Sequence, residues 1–238
     1  MKDEIQEIIM AYNDVVRGIE TKAQAHPEGR AYGGIVRAGK GKLVENIGKA
    51  LIRIAWEELG QDPNRLNIFG RQFRIPIKME YVKNLKNSEV REFIEQHIDD
   101  FNYPYKPDIA VSIDGNIVMI IECKTYTENA MLKRVLVDFT LLKSLYPNTK
   151  FILLQLESQL GGDYSLLRDI SFGSPSTHTL LSYFDIDLHI ITLLEGERKV
   201  DEPIHKPDFF KPLKRESLER TIKAIKEIFV EIKKEKGI

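Results

Sequence analysis

The stretch that constrains this chain most runs from Lys106 to Tyr126, KPDIAVSIDGNIVMIIECKTY. Ile109, Val111 and Ile113 alternate with small or polar residues, the period-2 pattern of a strand. Asp114, Gly115 and Asn116 follow, three residues that tolerate a positive φ and so suit a tight turn. Ile117 to Ile121 is then an unbroken apolar run, as in a strand buried on both faces. The pattern predicts a hairpin around which the other elements must pack.

A buried strand rarely ends in charge unless the charge is used. Asp108 opens the first strand, while Glu122 and Lys124 close the second and, two residues apart, face the same side. Antiparallel pairing around the turn brings Asp108 beside them, so two carboxylates and an ammonium converge at the open end of the hairpin. Carboxylate oxygens, completed by backbone carbonyls and waters, suit a hard divalent cation such as Mg2+. A lysine alongside can orient a water or steady negative charge developing at phosphorus. The alternative is an exposed hairpin carrying a surface ion pair of little energetic weight. Against it stands the run VMII, which carries buried character straight into Glu122.

Pro107-Asp108, thirteen intervening residues and then Glu122-Cys123-Lys124 at the end of an apolar strand resembles the PD-(D/E)XK nuclease superfamily, which includes type II restriction endonucleases and archaeal Holliday junction resolvases. The resemblance implies an α/β fold with a restriction-endonuclease-like core: a central mixed β-sheet flanked by helices, in αβββαβ order, with extra helices at both termini. It implies that Asp108 and Glu122 bind Mg2+, that the Cys123 backbone carbonyl joins them, and that Lys124 positions the attacking water. The activity implied is hydrolysis of phosphodiesters in double-stranded DNA by a type II restriction endonuclease. A Holliday junction resolvase or repair nuclease is the alternative within the same chemistry, although its core would need far fewer residues. A homodimer is expected, because two-fold symmetry matches a palindromic site, and a restriction enzyme requires a cognate DNA methyltransferase to spare its host. From a different class comes a non-catalytic DNA-binding protein on a decayed nuclease fold; decay should have removed one of the three charged residues, and all survive.

Composition narrows the partners. The formal net charge of -1 excludes a general basic attraction to nucleic acid, so a DNA-binding surface requires local segregation of charge. With 238 residues, and no repeat, linker or second core in view, the chain reads as one nuclease domain, 1–238. No run of eighteen apolar residues predicts a membrane span, and MKDEIQEIIM lacks signal-peptide architecture, so a cytoplasmic protein is expected. The lone cysteine, Cys123, excludes an internal disulfide and a cysteine-rich zinc site. Its side chain, opposite to those of Glu122 and Lys124, is expected in the core.

Hydrophobic periodicity predicts helices over 3–24, 42–59, 88–101, 127–146 and 213–234. Strand-like material covers 66–82, and further strands fall at 150–156 and 187–194. Ser88 is the expected N-cap of the third helix, and Gln155 is expected buried and hydrogen-bonded. Residues 25–42 read as a glycine-rich loop, in which Arg37, Lys40 and Lys42 either contact the DNA backbone or are simply solvated. Glu45 falls in the first turn of the second helix. There it either complements the helix dipole or supplies the further ligand that the resemblance implies for an acid on the helix before the sheet. Residues 161–184 are irregular, and Arg168 and the hydroxyl residues there either read base edges or only connect.

Overall fold

The computed structural model describes residues 3–24, 29–165 and 173–236, without the side chains of 20–24, 29–38 and 236. The first helix, α1 (Glu4–Gln24), buries one stripe, Ile8, Tyr12, Val16 and Ile19, against α2 (Gly29–Glu58). Residues 29–41 are therefore the first turns of α2, where a glycine-rich loop ahead of a helix from 42 was expected; residues 25–28 lie outside the described residues. The reason is close packing. A β-carbon on Gly39 would fall 3.3 Å from Ile19 Cδ1, and one on Gly48 would fall 2.8 Å from Leu154 Cδ2 and 3.0 Å from Ile109 Cδ1. Each glycine costs a helix about 1 kcal/mol relative to alanine. The approach it permits seats α2 directly on the sheet.

Next come β1 (Leu66–Phe69), β2 (Phe73–Pro76), α3 (Met79–Lys83), α4 (Ser88–Gln96) and β3 (Asn102–Tyr105). The end of the stretch 66–82 is thus a short helix where strand was expected. α4 stops at Gln96 with a 3-10 turn after it, and its cap is Asn87, whose Oδ1 accepts from the Val90 N–H at 3.1 Å, where Ser88 was expected. The hairpin follows as β4 (Ile109–Ile113) and β5 (Asn116–Thr127), then α5 (Asn129–Lys143), β6 (Lys150–Ser158), α6 (Pro175–Ser182), β7 (Leu188–Thr192) and α7 (Arg215–Lys236). α6 lies within the stretch expected to be irregular, of which 166–172 lie outside the described residues. Among the described residues no helix is long and apolar enough to cross a membrane.

Five strands form one mixed sheet in the order β1-β4-β5-β6-β7. β1, β4 and β5 pair antiparallel; β5, β6 and β7 pair parallel, as strands joined by helical crossovers must. β2 and β3 make a separate antiparallel pair. Side chains of α1, α2 and α7 fill one face of the main sheet, against Ile109, Val111, Ile121, Cys123 and Leu154. Leu132, Val135, Leu136, Phe139 and Leu142 of α5 fill the other, with Phe73 and Tyr105 of the small sheet. Helix α2, then β1, β4, β5, α5 and β6, give the αβββαβ order expected, with the small sheet and two helices inserted between β1 and β4.

The hairpin has two local devices. Asp114 (φ 50°) and Gly115 (φ 82°) both take positive φ, the signature of a tight turn matching strand twist. Arg65 clamps this turn, its Nη2 lying 2.6 Å from Asp114 Oδ2. Between Val111 and Ser112 of β4 a bulge shifts the register: Ser112 faces Ile117 but Val111 faces Met119, leaving Val118 unpaired. Val118 and Met119 consequently both face the α2 side, while Ile117 and Ile120 face α5.

Candidate active site

β4 begins one residue after Asp108, and its partner β5 continues through Glu122-Cys123-Lys124 to Thr127. Ile109 stands opposite Ile121, so Asp108 stands beside Glu122. Asp108 Oδ2 accepts the Cys123 backbone N–H at 2.7 Å, which fixes the carboxylate against the neighbouring strand. Lys124 Nζ lies 2.5 Å from Glu122 Oε2 and 3.6 Å from Asp108 Oδ2. The fold therefore brings Asp108, Glu122 and Lys124 together.

Their surroundings differ. Glu122 is buried, 6% exposed, while the Asp108 side chain is 38% exposed and opens the site to solvent. Burial pushes the Glu122 carboxyl above its ordinary value, more than the Lys124 ammonium pulls it down. Burial lowers Lys124 in turn, but the Glu122 charge and hydrogen bond outweigh it and hold the ammonium above its ordinary value. Lys124 therefore stays cationic at neutral pH. It is a donor and a positive charge, not a base.

Two residues of the site gave no signal in the sequence. Tyr105, at the end of β3, donates its hydroxyl to Glu122 Oε1, and burial followed by the Glu122 charge pushes its own pKa upward. Asp138 of α5 is largely buried; burial raises its carboxyl, against the charges of Arg134 and Lys124. Both reach the site through pairings distant in sequence. Tyr105→Phe removes one of the two hydrogen bonds fixing the Glu122 carboxylate. A bond to a charged group is worth about 1.5–3 kcal/mol, so kcat for DNA cleavage should fall roughly ten- to a hundredfold with KM little changed. Initial rates measured beside a thermal melt check this; an unchanged kcat would remove Tyr105 from the site.

The remaining sequence candidates are placed as follows. Glu45 sits on α2 between two lysines, accepting from Lys49 Nζ at 2.5 Å and from Lys42 Nζ at 3.1 Å. Burial raises its carboxyl, but these two bonds hold it below its ordinary value. Among the described residues no three His, Cys, Asp or Glu side chains group as a metal cage, so Glu45 stands apart from the Asp108 and Glu122 pair. Its charge does reach the Cys123 thiol, which burial first, then Asp108 and Glu122, push far upward. The thiol itself lies in the core beneath α2. Lys40 is half-buried with Nζ 3.3 Å from His205 Nδ1, and Lys42 is exposed and paired with Glu45. The side chain of Arg37 and all of Arg168 lie outside the described residues. Gln155 is buried and donates to Thr192 Oγ1 at 3.0 Å.

The donor set fits a hard divalent cation: oxygen ligands only, from two adjacent strands, with Asp108 open to water for the rest of a shell.

No family model matches the chain. It is 48% identical over 233 residues to the type II restriction enzyme DdeI of Desulfomicrobium norvegicum (strain DSM 1741 / NCIMB 8310), covering 96% of this chain and 97% of that one. The chain belongs to the type II restriction enzymes, site-specific endonucleases that generally use a divalent metal. Among solved structures it is similar to the Bse634I restriction endonuclease, with TM-score 0.42, 14% identity and coverage of 94% of this chain and 86% of that one. A BbvCI A2B2 tetramer gives TM-score 0.37 at 14% identity, covering 94% and 89%.

Proposed function

We propose that this chain is a Mg2+-dependent type II restriction endonuclease that cuts double-stranded DNA at the cluster of Asp108, Glu122 and Lys124. The observation that carries this reading is the ammonium of Lys124 held 2.5 and 3.6 Å from two carboxylates on paired strands, in a chain of this family. Asp108, Glu122 and the Cys123 carbonyl are the groups that would hold Mg2+, which when bound supplies Lewis acidity and lowers the pKa of water. Lys124 donates to the attacking water or to a non-bridging phosphate oxygen and neutralises charge as it develops. Tyr105 fixes the rotamer of Glu122, and Asp108 is fixed by the Cys123 amide, so the oxygens are pre-arranged. Glu45, on α2 apart from the pair, acts through its charge; Arg37, Lys40 and Lys42 are the candidates for contact with the DNA backbone.

The same reading takes 1–238 as one nuclease domain, acting as a homodimer on a two-fold symmetric site. It places the enzyme in the cytoplasm beside a cognate methyltransferase. Incubating the protein with unmethylated phage DNA tests it: Mg2+ should give discrete fragments, and a chelator should abolish them. A smear, or cutting of four-way junctions alone, would replace site-specific restriction with repair or junction resolution.

A further inference from the structure

Beyond the carboxylate site, the carboxyl ends of β5 and β6 gather positive charge. The segment after β7 is zipped onto β6: Glu197 bridges Ser158, and the Arg198 N–H donates to Ser158 O at 2.7 Å. This carries Arg198 over the end of β6 onto β5. Its guanidinium carbon lies 3.8 Å from the centroid of the Tyr126 ring, and its Nη1 donates to Gln159 Oε1 at 2.5 Å. Among the described residues no carboxylate is paired with it. The nearby buried carboxylate, Glu157, is taken by Lys211 at 2.9 Å, and Lys40 and Arg198 repel each other. Glu157 is thus shared by Lys211 and Lys40 and does not pair with Arg198.

We infer that Arg198 grips a backbone phosphate of the DNA strand that passes Lys124, which rests on the nuclease reading above. Position is the first argument. Tyr126 follows Lys124 by two residues, on the same side of β5 and about 6.6 Å farther along it, a distance within about two phosphate steps of one strand. Chemistry is the second. A guanidinium stacked on a ring and held at one nitrogen is already oriented, and its remaining N–H groups form a fork that suits a phosphate. A third is that, among the described residues, no carboxylate forms an ion pair with Arg198, so its charge is left for an anion from outside.

The test measures binding of a fluorescent duplex containing the cleaved site, and of one lacking it, to wild type, Arg198→Ala and Arg198→Lys across a salt series without divalent metal. For Arg198→Ala we expect roughly tenfold weaker binding to both duplexes and a slope of log K against log salt shallower by about 1. Arg198→Lys should keep the slope but recover only part of the affinity. The fragment pattern with Mg2+ should stay the same. An Arg198→Ala protein of normal melting temperature and unchanged slope would overturn the proposal, leaving Arg198 a structural prop for Tyr126. Loss confined to the duplex with the site would equally overturn it, in favour of base reading. Wild-type protein that cuts no DNA would sink the nuclease reading itself, a result separable from either.

Discussion

Lys124→Ala should lower the rate of plasmid cleavage by on the order of 10³-fold or more while DNA is still bound. Among the described residues the ammonium is the one positive charge paired with the two carboxylates of the site, and it is held cationic by them. Without it, no other described lysine or arginine stands within ion-pair distance of these two carboxylates to neutralise charge at phosphorus. Removing one partner of a buried ion pair also destabilises a protein, so a drop in rate alone does not separate chemistry from folding. Glu122→Gln does so. It keeps the shape of the side chain and an amide oxygen to accept from Lys124, relieves the burial of a carboxylate, and leaves Lys124 an ion-pair partner in Asp108. We expect it to melt at or near the wild-type temperature and to cut at least about 10³-fold more slowly. Should either variant keep a tenth of wild-type activity, the three residues are not the cutting site.

The largest structural effect is expected at Trp56, on the face of α2 that meets α7. Its side chain is 1% exposed and packs edge-on against Phe229, with ring centroids 5.1 Å apart. Its Nε1 donates to Asp62 O at 2.9 Å, tying the end of the helix to the turn that leads into β1. Trp56→Ala removes the largest side chain of the core and leaves a cavity between two helices that cannot both move, since α2 is already seated on Leu154 and Ile109 through Gly48. The cost should be about 3–5 kcal/mol, a large share of a typical stability of about 5–15 kcal/mol. Trp56→Phe keeps most of the packing and loses the hydrogen bond, for about 1 kcal/mol. Urea unfolding followed by circular dichroism reads both, and a loss for Trp56→Ala below that for Trp56→Phe would contradict the packing account.

What could be read from the sequence was what is local in it. Asp108, Glu122 and Lys124 lie on one hairpin, so alternation and a three-residue turn, Asp114 to Asn116, were enough to bring them together on paper; the structure reaches the same pairing with a two-residue turn and a bulge, and the family implied by that motif is the family of the 48% identical relative. The parallel β5 and β6 were legible for the same reason, a strand, a helix and a strand in succession. The start of α2 was not. Five glycines in 29–41 read as loop because propensity ignores neighbours, and the neighbour at Gly39 is Ile19 of α1. The small sheet was missed because Phe73 pairs with Tyr105 across thirty-two positions. Tyr105 was missed with it, and Asp138 because nothing in α5 tells which of its polar positions meets β5.

The bulge at Val118 turns the geometry of the site into a matter of counting. Had the ladder kept the register it has beside the turn, with Ile113 opposite Asn116, Asp108 would stand opposite Ile121 and the Glu122 carboxylate would lie on the far side of the sheet, under α2. One supernumerary residue restores the parity. The distance between the two acids along the chain is therefore open to substitution at nearly every position but closed to any single insertion or deletion. Relatives that vary this hairpin in length should do so by two residues at a time, or by trading the bulge for a longer turn.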